Sequence, residues 1–396
     1  MKIKFSPPDI SQMEIDEVID TLKSGWITTG PKTKELEKLI SKYVYTNSAV
    51  CLNSATAAME MSLRYLGIGP GDEVITTPYT YSASASVITH VGAKVVMVDI
   101  TEDGFEMDYD RVAAAITTKT KAIIPVDIGG VPCNYDKVIE AIESKKSLFK
   151  PENEIQERVG RVAIIADAAH SFGASFKGKT VAEWADLTCY SFHAVKNLTT
   201  AEGGAVTWRK GLFDDAQTYE EFQLLSLHGQ NKDALAKMQL GAWEYDIVAP
   251  NYKCNMTDIM AALGLAQLKR YPKLLNRRRE IIQRYDNGFK GSEVVPMIHF
   301  TTDKIGTGHL YIVNIDDYDE QGRNNLIIEM AERGISTNVH YKPLPMHTAY
   351  KNLGFKISDF PNAYKRYENA LTLPLHTLLS DMDVDFVIAS LLDIVK

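Results

Sequence analysis

The spacing of hydrophobic positions along the chain changes repeatedly, and each change predicts a helix or a strand. Residues 12–24 are predicted to form a helix, because Ser11 and Glu14 make an S-x-x-E capping box and Gly25 ends the apolar pattern. Continuous apolar runs, typical of strands buried on both faces, occupy residues 94–98, 121–126 and 162–166. Helical segments separate most of these runs, so we expect βαβ units around a largely parallel sheet, which is an α/β fold.

The pattern changes character after about residue 257. Apolar helices and a small α+β unit are predicted there, with helices at 257–268, 272–289 and near 320–333 and strands at 309–315 and 334–340. We therefore predict two domains: a large α/β domain with an N-terminal arm over residues 1–255, and a small α+β domain over residues 256–396. The polar and charged segment 144–161 is predicted to be a surface excursion of the first domain.

The composition is that of an ordinary globular protein. With 45% hydrophobic and 24% charged residues, disorder, collagen and coiled coil are excluded as the dominant state. The net charge of −8 argues against nucleic acid as a partner, since proteins that bind it are usually basic. We find no signal-peptide pattern and no apolar stretch near the ~20 residues that span a bilayer, so no membrane partner is expected. Four cysteines without a C-x-x-C pair fit a reducing, cytoplasmic location.

Residues 173–180 (GASFKGKT) match the P-loop pattern G-x-x-x-x-G-K-[ST]. A P-loop requires a strand directly before it and a long helix directly after it, because the helix N-terminus holds the phosphates. Here the strand ends at Asp167, and only residues 181–187 follow before the next strand-like run. We therefore interpret the motif as a Gly-Lys turn and disfavour a nucleoside-triphosphate hydrolase. An NAD-linked oxidoreductase is disfavoured too, because no G-x-G-x-x-G follows the first strand.

Asp167 and Lys196 form a stronger pair. Asp167 ends an apolar strand, where open α/β sheets build their sites, and Lys196 lies in a loop followed by small residues. Taken singly, a buried aspartate is more often a helix cap and a lysine is more often solvated. Together with Ser54 and Thr56 in a helix-opening turn, they match the needs of pyridoxal 5′-phosphate (PLP). This cofactor requires an amine for a Schiff base, a carboxylate beside its ring nitrogen and donors for its phosphate.

Five segments in order resemble the DegT/DnrJ/EryC1/StrS family of PLP-dependent sugar aminotransferases. They read NSATAAM, TPYTYSASAS, DAAHSFGA, SFHAVKNLTTAEGGA and NYKCNMTDIMAALGLAQL. With flanking motifs, the resemblance extends from about Trp26 to about His347. It implies the PLP-dependent transferase fold type I, as in aspartate aminotransferase, with a large, mostly parallel sheet and a small C-terminal α+β domain.

The resemblance also implies roles for individual residues. Lys196 matches the Schiff-base lysine, Asp167 the partner of the pyridine nitrogen and His170 the side chain near the phenolic oxygen. Tyr81 matches the aromatic residue that stacks on the cofactor. The phosphate contacts match Ala55, Thr56 and Ser191.

A further phosphate contact comes from the second subunit in family members, which implies a homodimer with shared active sites. Either Lys253 or Asn255, or both, match this contact. The choice stays open because Asn251 and Cys254 stand where many relatives carry Gly and Tyr.

Three residues are implied on the substrate side. Thr29 lies in WITTGP, which resembles the family loop near the sugar nucleotide, and His340 lies in VHYKPLPMH, which resembles the substrate segment. His193 belongs to S-F-H, which resembles enzymes that aminate carbon 4 of a nucleotide-linked keto sugar, whereas S-F-Y or S-F-F accompanies carbon 3 more often. A loop histidine bonded to the backbone is the alternative for His193. We expect no metal, because His340 and His347 have no acidic or cysteine partner at metal-site spacing.

The sequence thus predicts transfer of an amino group from glutamate to a 4-keto, often 6-deoxy, nucleotide sugar for a surface glycan or related amino sugar. The alternatives are amination at carbon 3, an inositol-like ketone as substrate, and a PLP-dependent sugar dehydratase of the same fold. The dehydratase is disfavoured because such relatives replace the lysine with histidine, and this chain keeps Lys196. A non-catalytic regulatory relative is disfavoured because every type of cofactor contact is present.

Overall fold

The computed structural model describes residues 2–231 and 244–395. In these ranges the helices are α1 (Gln12–Ser24), α2 (Pro31–Tyr43), α3 (Ala55–Tyr65), α4 (Ala83–His90), α5 (Tyr109–Ala115), α6 (Tyr135–Glu143), α7 (Glu154–Val159), α8 (Asp215–Ser226), α9 (Asp258–Phe289), α10 (Glu320–Glu332), α11 (Thr348–Asn352), α12 (Pro361–Glu368) and α13 (Asp381–Val395). The strands are β1 (Ala49–Leu52), β2 (Glu73–Thr76), β3 (Lys94–Met97), β4 (Thr120–Ile123), β5 (Ala163–Asp167), β6 (Ser175–Phe176), β7 (Lys179–Thr180), β8 (Leu187–Ser191), β9 (Gly204–Trp208), β10 (Val294–Pro296), β11 (Lys304–Ile305), β12 (Tyr311–Ile315) and β13 (Ala370–Leu373).

The main sheet of the described chain has seven strands in the order β1-β9-β8-β5-β4-β2-β3. Strands β3, β2, β4, β5 and β8 pair in parallel, while β9 is antiparallel to both of its neighbours, β8 and β1. All strands except β9 therefore run in the same direction. This confirms the predicted α/β fold with a large, mostly parallel sheet.

Both faces of this sheet are buried, as the continuous apolar runs predict. Ile75 and Ile164 point into the core on one face, and Val74 and Ile165 into the core on the other. Successive strand residues face opposite sides of a sheet, so a strand covered on both sides needs apolar residues at every position.

Helix α9 departs from the sequence prediction. Two helices were expected at 257–268 and 272–289, but one helix of 32 residues passes through Pro272. Proline removes one helical hydrogen bond, yet buried side chains hold both halves in place. Leu265 and Tyr271 lie in the core of the main sheet, while Ile282 and Tyr285 lie in the core over the antiparallel sheet β10-β12-β13. The division into domains at residues 255 and 256 stays a prediction.

One local prediction is wrong, and another lacks a detail. Residues 334–340 do not form a strand, since only isolated bridges join Ile335 to Ile3 and Asn338 to Thr372. The segment 144–161 contains a short helix, α7, in which Gln156 is buried and donates to the carbonyl of Leu66 at 2.9 Å. This contact fixes the segment to the end of α3.

The P-loop-like segment is a hairpin turn, as interpreted. Ser175 pairs with Thr180 and Phe176 with Lys179. Lys177 and Gly178 have φ angles of 49° and 74°, which is the positive pair that a tight two-residue hairpin requires. Only a single 3₁₀ turn follows, so the segment lacks the long helix of a phosphate-binding loop. Within the described ranges, no helix is long and apolar enough to cross a membrane.

Candidate active site

A cavity of about 490 Å³ opens at the edge of the main sheet where the parallel strands end. Open α/β sheets bind their ligands at this edge, because the loops that follow the strands converge there. Most of the predicted site residues line it: Ala55, Thr56, Tyr81, Asp167, His170, Ser191, His193, Lys196 and His340. Side chains scattered over nearly 300 positions of sequence are thus brought to one place.

Asp167 lies in the cavity at the end of β5 and is only 5% exposed. Its Oδ2 accepts a hydrogen bond from the hydroxyl of Ser84 (2.6 Å), and its Oδ1 accepts one from the backbone N–H of Ala169 (3.2 Å). Burial raises the pKa of Asp167, and these two bonds together with the nearby Lys196 lower it only in part. A cation placed beside the carboxylate would stabilise its charged form.

Lys196 lies half-buried in the loop between β8 and β9, and its side chain enters the same cavity. Burial lowers the pKa of Lys196 to about 8, with Asp167 acting in the opposite direction. The ordinary value for lysine is about 10.4, so far more of this amine is neutral near pH 7. A neutral amine is the form that attacks a carbonyl carbon or takes up a proton.

Sequence reasoning missed Tyr341, which lines the cavity, and His309, which lies behind it against His170 and Lys196. The hydroxyl of Tyr341 lies 3.2 Å from Nε2 of His170, and the ring of His309 lies 4.2 Å from the ring of His170. Nε2 of His309 is also 3.5 Å from Nζ of Lys196. Tyr341 directly follows the predicted His340, and His309 stands at the start of a predicted strand. Tyr341 thus lies inside the segment that resembles the substrate segment, whereas His309 carries no local signal for a site.

His170 has one ring nitrogen without a partner. Its Nδ1 is buried and makes no hydrogen bond, and burial together with Lys196 lowers the pKa of His170 well below its usual range. The ring is therefore neutral. A buried polar atom without a partner is costly in a folded protein, and an atom of a bound ligand is one way to satisfy it.

The start of α3 forms the other end of the cavity. Ser54 caps this helix by accepting a hydrogen bond from the N–H of Ala57 at 3.0 Å. The first N–H groups of a helix have no partner inside it, and they attract anions such as phosphate. Gly204 is needed here, because a Cβ on it would lie 2.4 Å from the carbonyl carbon of Ser54. The small residues after Lys196 thus let β9 approach this turn.

His193 lies at the rim of the cavity. Its Nε2 is 3.6 Å from a carboxylate oxygen of Glu202, and its Nδ1 accepts a long hydrogen bond of 3.5 Å from the N–H of Val195. The ring borders the cavity, as a substrate-side residue would, and it is also bonded to the backbone, as in the alternative given for His193.

Thr29, Lys253 and Asn255 form a separate cluster outside the cavity of their own chain. The hydroxyl of Thr29 donates to the carbonyl of Met256 at 2.5 Å and accepts from the side-chain amide of Asn255. The ammonium of Lys253 donates to the side-chain oxygen of Asn255, and Lys253 is exposed. The structure of one chain therefore does not bring these three predicted residues to Lys196.

The residues of the cavity fit PLP. Lys196 supplies an amine, and Asp167 supplies a buried carboxylate whose charged form a cationic ring nitrogen would stabilise. His170, which has one unpartnered ring nitrogen, lines the same cavity, and the start of α3 supplies donors for a phosphate. Among the described residues, no group of three or more His, Cys, Asp or Glu side chains could hold a metal ion.

The sheet and the cavity define a PLP-dependent transferase with an aminotransferase-like fold. A sequence profile of the DegT/DnrJ/EryC1/StrS aminotransferase family matches residues 8–392, and the chain belongs to this family. It is a PLP-dependent sugar aminotransferase, which confirms the predicted family, cofactor and enzyme class.

Several relatives are similar over nearly their whole length. The chain is 39% identical to the spore coat polysaccharide biosynthesis protein SpsC of Bacillus subtilis (strain 168), with 100% of this chain and 97% of SpsC covered. Spr1654 of Streptococcus pneumoniae, described as a sugar aminotransferase, is 57% identical in its pyridoxamine-phosphate (PMP) form, with a TM-score of 0.97 over 100% and 99% of the two chains. PseC of Helicobacter pylori, an aminotransferase involved in the biosynthesis of pseudoaminic acid, is 26% identical, with a TM-score of 0.86 over 100% and 99%.

Proposed function

We propose that this enzyme transfers an amino group from glutamate to the carbon-4 ketone of a nucleotide-linked sugar. The observation that carries the proposal is the convergence of Lys196, Asp167 and His170 on one cavity that has His193 at its rim. The product would be an amino sugar for a surface glycan. The relatives SpsC and PseC, by their descriptions, serve the synthesis of a spore coat polysaccharide and of pseudoaminic acid, which supports this direction.

The proposed roles are those that the family resemblance implies, and the convergence of the side chains on one cavity supports them. Lys196 would hold the cofactor covalently, the negative charge of Asp167 would stabilise a protonated ring nitrogen, and His170 would contact the phenolic oxygen. Tyr81, which is 65% exposed at the cavity rim, would stack on the ring. Ala55, Thr56 and Ser191 bind the phosphate. When bound, PLP supplies an electron sink and carries the amino group between the two substrates.

Lys196 has a second proposed role once substrate has displaced it. Its neutral amine would take a proton from the substrate carbon that bears nitrogen, and Nζ would hold that proton as an ammonium until it is passed on to a different carbon. The pKa of about 8 suits this work, because a general base is most effective when its pKa lies near the working pH. Amination at carbon 3 or of an inositol-like ketone remains the alternative, since the same residues would perform it. A cytoplasmic location also stays a prediction.

The substrate class can be tested directly with a panel of UDP-, dTDP- and GDP-linked 4-keto sugars plus glutamate. We expect turnover with 4-keto sugars and a product whose nitrogen lies on carbon 4, as read from two-dimensional NMR. Because a hexose 4-ketone is the product of a sugar-nucleotide 4,6-dehydratase, that class of reaction should supply the substrate. Turnover of 3-keto isomers alone would reject the carbon-4 assignment and favour the alternative.

A homodimer with shared active sites is the second part of the proposal. Three apolar side chains on one face of α1 are 41–54% exposed, namely those of Ile15, Ile19 and Leu22. An exposed apolar patch of this kind is typical of a protein interface. Thr29, Lys253 and Asn255 lie outside their own cavity, so in the proposed dimer they would reach the cavity of the other subunit. Lys253 or Asn255 would bind the phosphate there, and Thr29 would lie near the substrate, as would His340 of the cavity's own chain.

Subunit mixing tests the shared site. We expect Lys196→Ala and the double variant Lys253→Ala/Asn255→Ala each to be strongly impaired alone. In a mixed dimer one site then has Lys196 from one chain and Asn255 from the other, so random mixing should restore roughly a quarter of wild-type activity. Mixing Lys196→Ala with itself is the control. Failure of the unlike pair to complement, with mixed dimers verified by mass, would contradict the shared site.

A further inference from the structure

His309 and Asn197 form a buried pair beside Lys196. They are 5% and 8% exposed, although they lie on opposite sides of α9 in the sequence. Nδ1 of His309 is 3.1 Å from Oδ1 of Asn197, and Nε2 of His309 is 3.5 Å from Nζ of Lys196. The ring of His309 therefore lies between the side chain of Asn197 and the amine of Lys196.

The bonds of Asn197 decide which ring nitrogen of His309 carries the proton. The amide nitrogen of Asn197 donates to the carbonyl of Thr307 at 3.0 Å, so the oxygen of the amide is the atom that faces His309. An oxygen in that place accepts a hydrogen bond, which requires N–H at Nδ1 of His309. In a neutral ring the lone pair then lies on Nε2, directed at the amine of Lys196.

The surroundings of His309 keep the ring neutral. Burial is the main cause that lowers the pKa of His309 well below its usual range, and His170, Lys196, Arg278 and His340 act in the same direction. The nearby carboxylate of Asp167 raises the pKa of Lys196. A neutral His309 accepts from the amine in either of the amine's protonation states and adds no charge that would repel it.

The backbone fixes the position of the ring. The N–H of His309 donates to the carbonyl of Gly129 at 2.9 Å, and the N–H of Thr307 donates to the carbonyl of Gly130 at 2.9 Å. A Cβ on Gly130 would lie 2.0 Å from the hydroxyl oxygen of Thr307, so glycine is what allows this approach. The segment is thus held against the loop after β4, and a group held in this way can orient another at little entropic cost.

We propose that His309 is a positioning residue for Lys196. His309 accepts a hydrogen bond from the lysine amine and directs that amine into the cavity. When substrate displaces the lysine from the cofactor, His309 accepts from the released amine again, while Asn197 holds the ring of His309 in place. The inference rests on the proposed role of Lys196. The distance of 3.5 Å is at the outer limit for a hydrogen bond, and bonds of this kind often shorten when ligand is present.

The test compares His309→Gln with His309→Asn. A glutamine amide can place an acceptor where Nε2 of the histidine was, whereas asparagine keeps the contact with Asn197 and cannot reach Lys196. The first readout is the rate at which cofactor-free enzyme captures PLP covalently, followed by absorbance and verified by borohydride reduction and mass spectrometry. We expect His309→Gln to stay within a few-fold of wild type and His309→Asn to be roughly 10- to 100-fold slower, because misplacement of a reacting group has costs of this size.

The second readout separates positioning from structure. In steady-state kinetics His309→Asn should lower kcat by a similar factor and leave the KM for glutamate nearly unchanged. Asn197→Ala should cause a smaller loss of the same kind. His299→Gln is the matched control, because His299 is another buried histidine, 1% exposed, whose ring nitrogens have no partner. It should capture PLP at the wild-type rate.

The possible failures are distinct. Equal capture rates for the Gln and Asn variants, or a loss that only follows a lowered melting temperature, would overturn the role of His309. Covalent capture by Lys196→Ala would instead overturn the proposed function. Attachment at Lys196 with wild-type rates in all His309 and Asn197 variants would remove this inference and leave the proposed function intact.

Discussion

Replacing Lys196 by alanine is expected to abolish covalent attachment of PLP and to lower turnover on the order of 10⁴-fold or more. Both effects have the same cause, because the side chain that holds the cofactor is also the proposed base for proton transfer. Borohydride reduction of wild-type enzyme, followed by peptide mapping, should place the cofactor mass on Lys196 and on no other lysine. The variant should show neither the mass nor the visible band of the attached cofactor.

The pH dependence of attachment gives an independent check. Because only the neutral amine reacts, the capture rate of PLP by cofactor-free enzyme should rise with pH and level off above about 8, the pKa of Lys196. An ordinary lysine would level off near 10.4. Lys179→Ala is the matched control, because Lys179 is a lysine of the P-loop-like hairpin and lies on the surface. This variant should attach PLP as wild type does. Covalent attachment that survives in Lys196→Ala would reject the assignment.

The sequence predicted those parts of the site whose signals are local. Asp167 could be found because an apolar strand ends at it, and Lys196 because small residues such as Gly204 follow it. Capping residues predicted helix starts in the same way, as Ser11 does for α1. Each of these features is determined by neighbours within a few positions, so a pattern in the sequence can carry it.

Other features depend on contacts between distant segments. His309 reaches Lys196 only because α9 carries the chain across the molecule and the loop after β4 receives the segment that follows. Pro272 illustrates the same limit, since the local rule for proline ends a helix there and burial of Tyr271 overrides it. Such outcomes require knowledge of what packs against the segment, which a single sequence does not provide.

Asp167→Asn is expected to give the second large loss of activity. The variant keeps the size and, with its single amide oxygen, one of the two hydrogen bonds that Asp167 accepts, but it removes the negative charge proposed to lie beside the ring nitrogen. Loss of one partner of a buried charge pair has costs of about 3–5 kcal/mol, which corresponds to roughly 10²- to 10⁴-fold in turnover. Ser84→Ala is the graded control, because it keeps the charge and removes a single bond to it. Its loss should be roughly 10- to 100-fold.

In the cofactor-free enzyme the same substitution, which lowers activity, should leave the free energy of unfolding unchanged or raise it. Burial raises the pKa of Asp167 above its unfolded value of about 3.9, so the folded state disfavours the charged carboxylate. A carboxyl group of this kind loses its stabilising contribution as pH rises through the folded pKa, and asparagine has no charge to lose. Asp167→Asn without PLP should therefore melt at the same or a higher temperature than wild type at neutral pH, and the difference should vanish below about pH 4.

Addition of PLP should reverse this order, because a cationic ring nitrogen beside the carboxylate favours its charged form. Melting temperatures measured with and without PLP, at neutral pH and near pH 4, give the four values needed. A variant that is less stable than wild type without PLP, and unchanged in its response to PLP, would mean that Asp167 supports the fold and not the cofactor. If Asp167 acts on the cofactor, Asp167→Asn should be more stable than wild type without PLP and yet have little activity. The reason is that the charge of Asp167 destabilises the folded enzyme without PLP and is stabilised when PLP binds.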